Sequence, residues 1–398
     1  MICPCQKNKL SLYYSTIYCA TCRFSLFYSS IALVSIFLGP FQAVQLYLQK
    51  RFKKTFKSKN LFKFNNFLNF SIIFFILVEI ILFVFFLFFL DDILVKFKSD
   101  DKLFFSFLFI LHLSSLFLII PGSILYVQRK YKLLYSVVLM TDLIRLFLFI
   151  LFWKYFTNIL YYFVCLNIFY NLLTLVILFR IIGIKNQFTF KIKFFFKSFL
   201  FYFSKIFRFI IYSTCFPLIM QIDIIFVKFY FNDYNASSYI VVSTIAKIIF
   251  IFPSILQYYL FEENLTAKRF NLILNYFIFI SSIFFSSLIL FYFKELIINL
   301  LYDKSFLLTI DAFVYLLFSF SMLSISNIIL NYFLSYEKYN FLYYLFLSII
   351  LYIILNMLFH NSYIEIARNL LFSSLFLFFI SLTHVIIFIF SKKKIMIN

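Results

Sequence analysis

YSTCFPLIMQIDIIFVKFYFNDYNASSYIVVSTIAKIIFIFPSILQYYLFEEN, residues 212–264, decides how the chain is read. It holds two apolar segments, each long enough to cross a bilayer, joined by a short polar turn. Asp223 and Pro217 lie within the first segment, Lys247 and Pro253 within the second. A charge near the bilayer centre costs at least roughly 2.5 kcal/mol, so Asp223 and Lys247 require a partner, a wet cavity or a cargo. Each proline removes a backbone donor where no water replaces it, which is tolerated chiefly where a helix breaks beside a cavity.

Outward from this stretch the composition stays that of a membrane protein. Hydrophobic residues make up 65%, with 68 Phe and a mean hydropathy of +1.01, against about 45 to 50% apolar residues in soluble domains. Windows of about 20 apolar residues predict eleven transmembrane helices. They fall near 24–46, 69–90, 103–127, 133–153, 159–179, 207–231, 238–260, 272–292, 311–335, 341–359 and 370–390. Alternate connections are basic, beginning with Lys50, Arg51, Lys53, Lys54, Lys57, Lys59 and Lys63 and ending with Lys392, Lys393 and Lys394. By the positive-inside rule that side and the C-terminus are cytoplasmic, and eleven spans put the N-terminus outside.

The net charge of +21 is thus mostly a topology signal. No basic soluble module is visible, which argues against a nucleic-acid partner. Residues 1–23 form a tail without an ordinary signal peptide, because Arg23 interrupts any apolar core. Cys3, Cys5, Cys19 and Cys22 lack the ligand spacing of known zinc modules. Cys165 and Cys215 sit in apolar helices and read as packing residues. His112, His360 and His384 are too scattered for a metal cluster, and no phosphate-binding glycine loop is present. A transporter fits better than an enzyme, and no cofactor is implied. Pro40, Pro121, Pro217 and Pro253 interrupt four spans, as hinges of the bent helices with which transporters build a central site. A harmless kink is the competing reading for each.

The run PLIMQIDIIFVKFYFNDYNASSYIVVSTIAKIIFIFPSILQYYLF resembles the start of the second lobe in bacterial polysaccharide-export and O-antigen flippases, relatives of the MATE-type exporters. Gln221, Asp223, Ala236, Tyr239 and Pro253 occupy the positions of that family's pattern. LGPFQAVQLYLQKRF is similar to its second helix, and PGSILYVQRKYKLL to the turn between its fourth and fifth. The resemblance implies an all-α, MATE-like two-lobe bundle, with an N-lobe over 24–206, a C-lobe over 207–398 and the family's first helix missing. It also implies flipping of a polyprenyl-pyrophosphate-linked oligosaccharide from the cytoplasmic to the outer leaflet of a bacterial inner membrane, for surface polysaccharide assembly. Partners would be the lipid-linked oligosaccharide, membrane lipids and polysaccharide-assembly proteins.

Such a cargo needs a wet cationic passage, for which Arg145, Lys228, Lys247 and Arg208 are the candidates. Ser243, Thr244, Lys247 and Ser254 fall together on a helical wheel, favouring Lys247. Lys228 and Arg208 lie near helix ends, where snorkelling is expected. Asp142 and Arg145, three apart, either neutralise each other or line the passage. Asp223 reads as a proton or sodium coupling site or as a structural partner of a cation. An ideal wheel sets it opposite Gln221 and away from Lys228. Glu79 and His112 share a depth and form a conceivable pair. Two other readings stay open: a cation-coupled small-molecule or drug antiporter of the same fold, and a membrane enzyme such as a saccharide polymerase.

Overall fold

A computed structural model describes residues 25–29, 31, 32 and 48, scattered positions between 73 and 95, and then 101–128, 130–152, 159–182, 211, 214–250, 269–302, 304–335 and 341–395. Among the described residues every regular element is helical. Seven helices are long and apolar enough to span a bilayer, so this is a multi-pass membrane protein. The four other expected spans, at 24–46, 69–90, 207–231 and 238–260, fall partly outside the described residues.

The helices are numbered in chain order. α1 covers the helical residues 25–29, 31 and 32, and α2 those between 73 and 95. They are followed by α3 (Lys102–Phe117), α4 (Ile119–Val127), α5 (Tyr131–Phe152) and α6 (Ile159–Ile182). After these come α7 (214–230) and α8 (Asp233–Ala246), which continues as a 3-10 turn over Lys247–Phe250. The chain closes with α9 (Arg269–Leu301), a 3-10 turn over Lys304–Thr309, α10 (Ile310–Ser335), α11 (Phe341–Leu358) and α12 (Tyr363–Ile395).

The span expected at 103–127 is found as one crossing, Lys102–Tyr126, interrupted between α3 and α4. α3 ends at Phe117, four residues before Pro121, whose ring clashes with that carbonyl and which offers no N–H to it. A tight bond from Leu118 N to Ser115 O, 3.3 Å, closes α3, and Gly122 N reaches Leu118 O at 3.1 Å to start α4. Pro217 acts differently. The described helix runs through it from 214 to 230 without a break. Pro40 and Pro253 lie outside the described residues.

The chain divides into two compact units, Leu33–Thr214 and Cys215–Asn398, with α1 belonging to the second. The sequence assigns 24–206 to one lobe; α1 sits elsewhere because Ala32 packs with Ile224 and Ile240, and Ser25 meets Lys228. In the first unit α6 is the central helix, packed against α3, α4 and α5. In the second, α10 lies along α12 and also meets α8 and α9. Both helices carry small buried residues, Ser319, Ser324 and Ser326 on α10 and Ser373 and Ser374 on α12. Small side chains let backbones approach closely where lipid gives no hydrophobic drive to associate. The long apolar side chains of α5 and α9 stay exposed on the units' flanks, the expected surface for a bilayer to cover.

Candidate functional site

The α7–α8 pair carries the chemistry. Asp223 is fully buried on α7. Lys247 is the C-cap of α8, where the α-helix tightens into the 3-10 turn. Lys247 Nζ lies 3.0 Å from Asp223 Oδ1 and donates to Gln221 Oε1 at 3.2 Å, while Ser243 Oγ donates to Asp223 Oδ2 at 2.6 Å. The ammonium also stands 5.2 Å from the centre of the Phe320 ring of α10. Phe320 is itself buried and packs on Phe250, which meets Phe216 of α7. A cation at a helix C-terminus also faces the negative end of the helix dipole.

The two partners are unequally accessible. Lys247 keeps 12% of its side chain exposed and Asp223 none. The wheel expectation that Gln221 and Asp223 point apart is corrected here: the long Lys247 side chain arrives from the neighbouring segment and touches both. Thr244 stays out of the cluster, since its hydroxyl donates to Ile240 O at 2.7 Å. Ser254 lies outside the described residues.

Lys228 does not snorkel. It is 1% exposed, paired with Asp233 across the α7–α8 turn and donating to Ser25 Oγ of α1 at 3.0 Å. Proximity to the helix end suggested an escape to water, but α1 covers that end and the turn supplies a carboxylate instead. Tyr302, beyond α9, belongs with the same neighbourhood, its phenol pushed up by burial and then by the Tyr28 hydroxyl of α1.

In the first unit Arg145 pairs with Asp142 of its own helix at 2.9 Å and donates to Asn167 Oδ1 of α6 at 2.6 Å. Both partners are substantially exposed, 33% and 51%. Neutralisation on one face, one of the two readings of this pair, is the arrangement observed. Each of the three described candidate cations thus has its own carboxylate. Arg208, Glu79 and the side chain of His112 fall outside the described residues. Cys215 is buried, but Cys165 is exposed on α6.

No family model and no curated protein matches the sequence. The fold nevertheless matches that of a solved lipid flippase. The lipid II flippase MurJ, in its inward closed conformation, aligns with a TM-score of 0.59 over 94% of this chain and 87% of its own, at 17% identity. At that identity the likeness is one of fold: a polytopic helical bundle of the MATE-like kind.

Several residues of the cluster escaped sequence reading. Phe320 is one of 68 phenylalanines and nothing in its spacing marks it. Tyr352 of α11 is fully buried near Asp223 from 129 positions further along the chain. Asp233 was legible in principle, five residues after Lys228 in the turn.

Proposed function

We propose that this protein is a transporter of a lipid-linked saccharide precursor, moving a polyprenyl-pyrophosphate-linked oligosaccharide from the cytoplasmic to the outer leaflet of a bacterial inner membrane. The observation that carries this reading is the MATE-like fold shared with MurJ over 94% of the chain. In support, the α7–α8 cluster offers a lysine whose side chain keeps some exposure, backed by a carboxylate that no solvent reaches. An anionic headgroup would take Lys247, whose ammonium has three donors and holds Asp223 and Gln221 at rest. The lipid tail would stay in the bilayer. In this reading the C-terminus is cytoplasmic, the N-lobe carries Asp142 and Arg145, and Pro40 and Pro253 serve as hinges. The product would serve surface polysaccharide assembly, with the proteins of that assembly as partners.

The deciding experiment reconstitutes the full chain in vesicles with a fluorescent polyprenyl-pyrophosphate-linked oligosaccharide and follows its arrival in the opposite leaflet with a membrane-impermeant quencher. Wild type should accelerate the exchange over empty vesicles. No acceleration would reject the reading.

One observation favours a second reading. The described candidate cations are each matched by a carboxylate, a neutral lining that suits a cation-coupled small-molecule antiporter, with Asp223 as the proton or sodium site. That reading expects a proton or sodium gradient to drive uptake of a cationic dye into the same vesicles, and Asp223→Asn to abolish it.

A further inference from the structure

We propose that α1 is a releasable latch on the α7–α8 hairpin, docked in this structure and lifted at another stage of the transport cycle; its purpose rests on the transporter reading, while its opening is measured apart from it. Ser25, Ser29 and Ala32 stand at i, i+4 and i+7, one face of a helix, and all three are buried. Ala32 packs with Ile224 of α7 and Ile240 of α8, with Tyr28 alongside. The Ser25 hydroxyl accepts from Lys228 Nζ at 3.0 Å and donates to Asp233 Oδ1 at 3.4 Å, so it bridges the ion pair at the hairpin turn. Immediately after this contact the chain changes units: α1 belongs to the second unit up to Ala32, and Leu33 opens the first. Movement of one unit against the other therefore pulls on the α1 contact or is taken up by the chain that follows it.

The contact is of a kind that can come apart. Small side chains let two helices approach closely but insert no large group into the partner. The Ser29 hydroxyl is turned back onto its own helix, to Ser25 O at 2.7 Å and Leu26 O at 3.0 Å. The ion pair beneath does not need α1 for its charge balance, because Lys228 and Asp233 meet directly. Both flank the turn between α7 and α8, at the end of a helix, where a charge is less costly than at the bilayer centre. Lifting α1 thus leaves neither charge unpaired; what it breaks at this pair is the bonding of one hydroxyl. While docked, α1 covers Lys228 and holds the two helices of the hairpin together through Ile224 and Ile240.

The test uses the full chain with its six native cysteines replaced by alanine and its melting unchanged. Ser29→Cys is introduced, and the reaction of that buried thiol with a water-soluble maleimide is timed in lipid nanodiscs, which are open to the reagent on both faces. The latch predicts labelling of the folded protein, and labelling about tenfold faster with Ser25→Ala, the effect of losing a hydrogen bond to a charged group. Labelling that waits for denaturation would overturn it. So would a gain from Ser25→Ala matched by an equal loss of global stability, since that is unfolding rather than lifting. In a second arm, oxidised Ala32→Cys/Ile240→Cys pins α1 to α8. Flipping in the vesicle assay should then fall about tenfold or more and return on reduction, as for a step that gates turnover. Equal flipping in the oxidised and reduced forms would mean that α1 stays docked throughout the cycle; the latch would be wrong and the transporter reading would stand. Labelling of Ser29→Cys in a protein whose wild type flips nothing would uphold the lifting and reject the transporter reading.

Discussion

Two lysines on one helical hairpin, both paired with aspartates, differ in what surrounds the pair. Lys228 is sealed: its carboxylate comes from the turn five residues on, and Ser25 of α1 closes the remaining side. Lys247 is open: it retains some exposure, and its carboxylate comes from the other helix. The first arrangement leaves the lysine 1% exposed and the second leaves it 12% exposed. A buried ion pair alone is weak evidence of stability or function. What separates the two pairs here is how far each lysine is covered and whether its carboxylate comes from the adjoining turn or from the other helix.

If that contrast is right, the largest stability effect belongs to the sealed pair. Lys228→Met leaves Asp233 without its cation beside α1 and should cost roughly 3 kcal/mol, the scale for breaking a buried pair. Adding Asp233→Leu should restore much of the loss. Thermal melting of the purified protein in detergent measures both. Equal melting of Lys228→Met and wild type would erase the distinction between the pairs.

Next in size is function at the open pair. Lys247→Ala should lower flipping in the vesicle assay about tenfold or more, since a charge-assisted contact contributes at least that factor. Lys247→Arg should keep much of it. Indifference to all three residues would leave Lys247 a packing feature like Lys228. The neutral pair should also be readable in salt dependence. Asp223→Asn leaves an uncompensated ammonium, so its headgroup binding should fall as ionic strength rises more steeply than that of wild type. Parallel salt curves would mean the carboxylate never shields the lysine from the headgroup.

The contrast also marks what a sequence can and cannot yield. Asp223 and Lys247 stood out because charge in an apolar span is costly, and the break at Phe117 follows from Pro121 by local sterics alone. Local chemistry likewise gave the Asp142–Arg145 pair, three residues apart on one helix. Lys228 was misread because depth along a helix says nothing about what covers its end. Gln221 was placed wrongly because a wheel ranks directions on one helix and omits the reach of a side chain arriving from another. Phe320 and Tyr352 come from distant helices, and only packing brings them to the pair. The overall bundle could be reached from hydropathy and pattern, whereas the grouping of α1 with the second unit depends on Ala32 and Ser25 finding Ile224 and Lys228, long-range contacts without a local signature.

The smallest effect should fall on the exposed pair in the first unit. Asp142 and Arg145 are i,i+3 neighbours, half exposed, and such pairs contribute about 0.5 kcal/mol or less. Asp142→Asn should therefore leave melting within about that margin. Arg145→Gln loses the bond to Asn167 as well, and should cost about 1 kcal/mol. Neither should change flipping by more than about twofold if Lys247 alone meets the headgroup, because a twofold change is about 0.4 kcal/mol. The informative failure would be Arg145→Gln with normal melting and lost transport. Arg145 would then be a cargo contact in its own right, held by Asp142 only in the resting state.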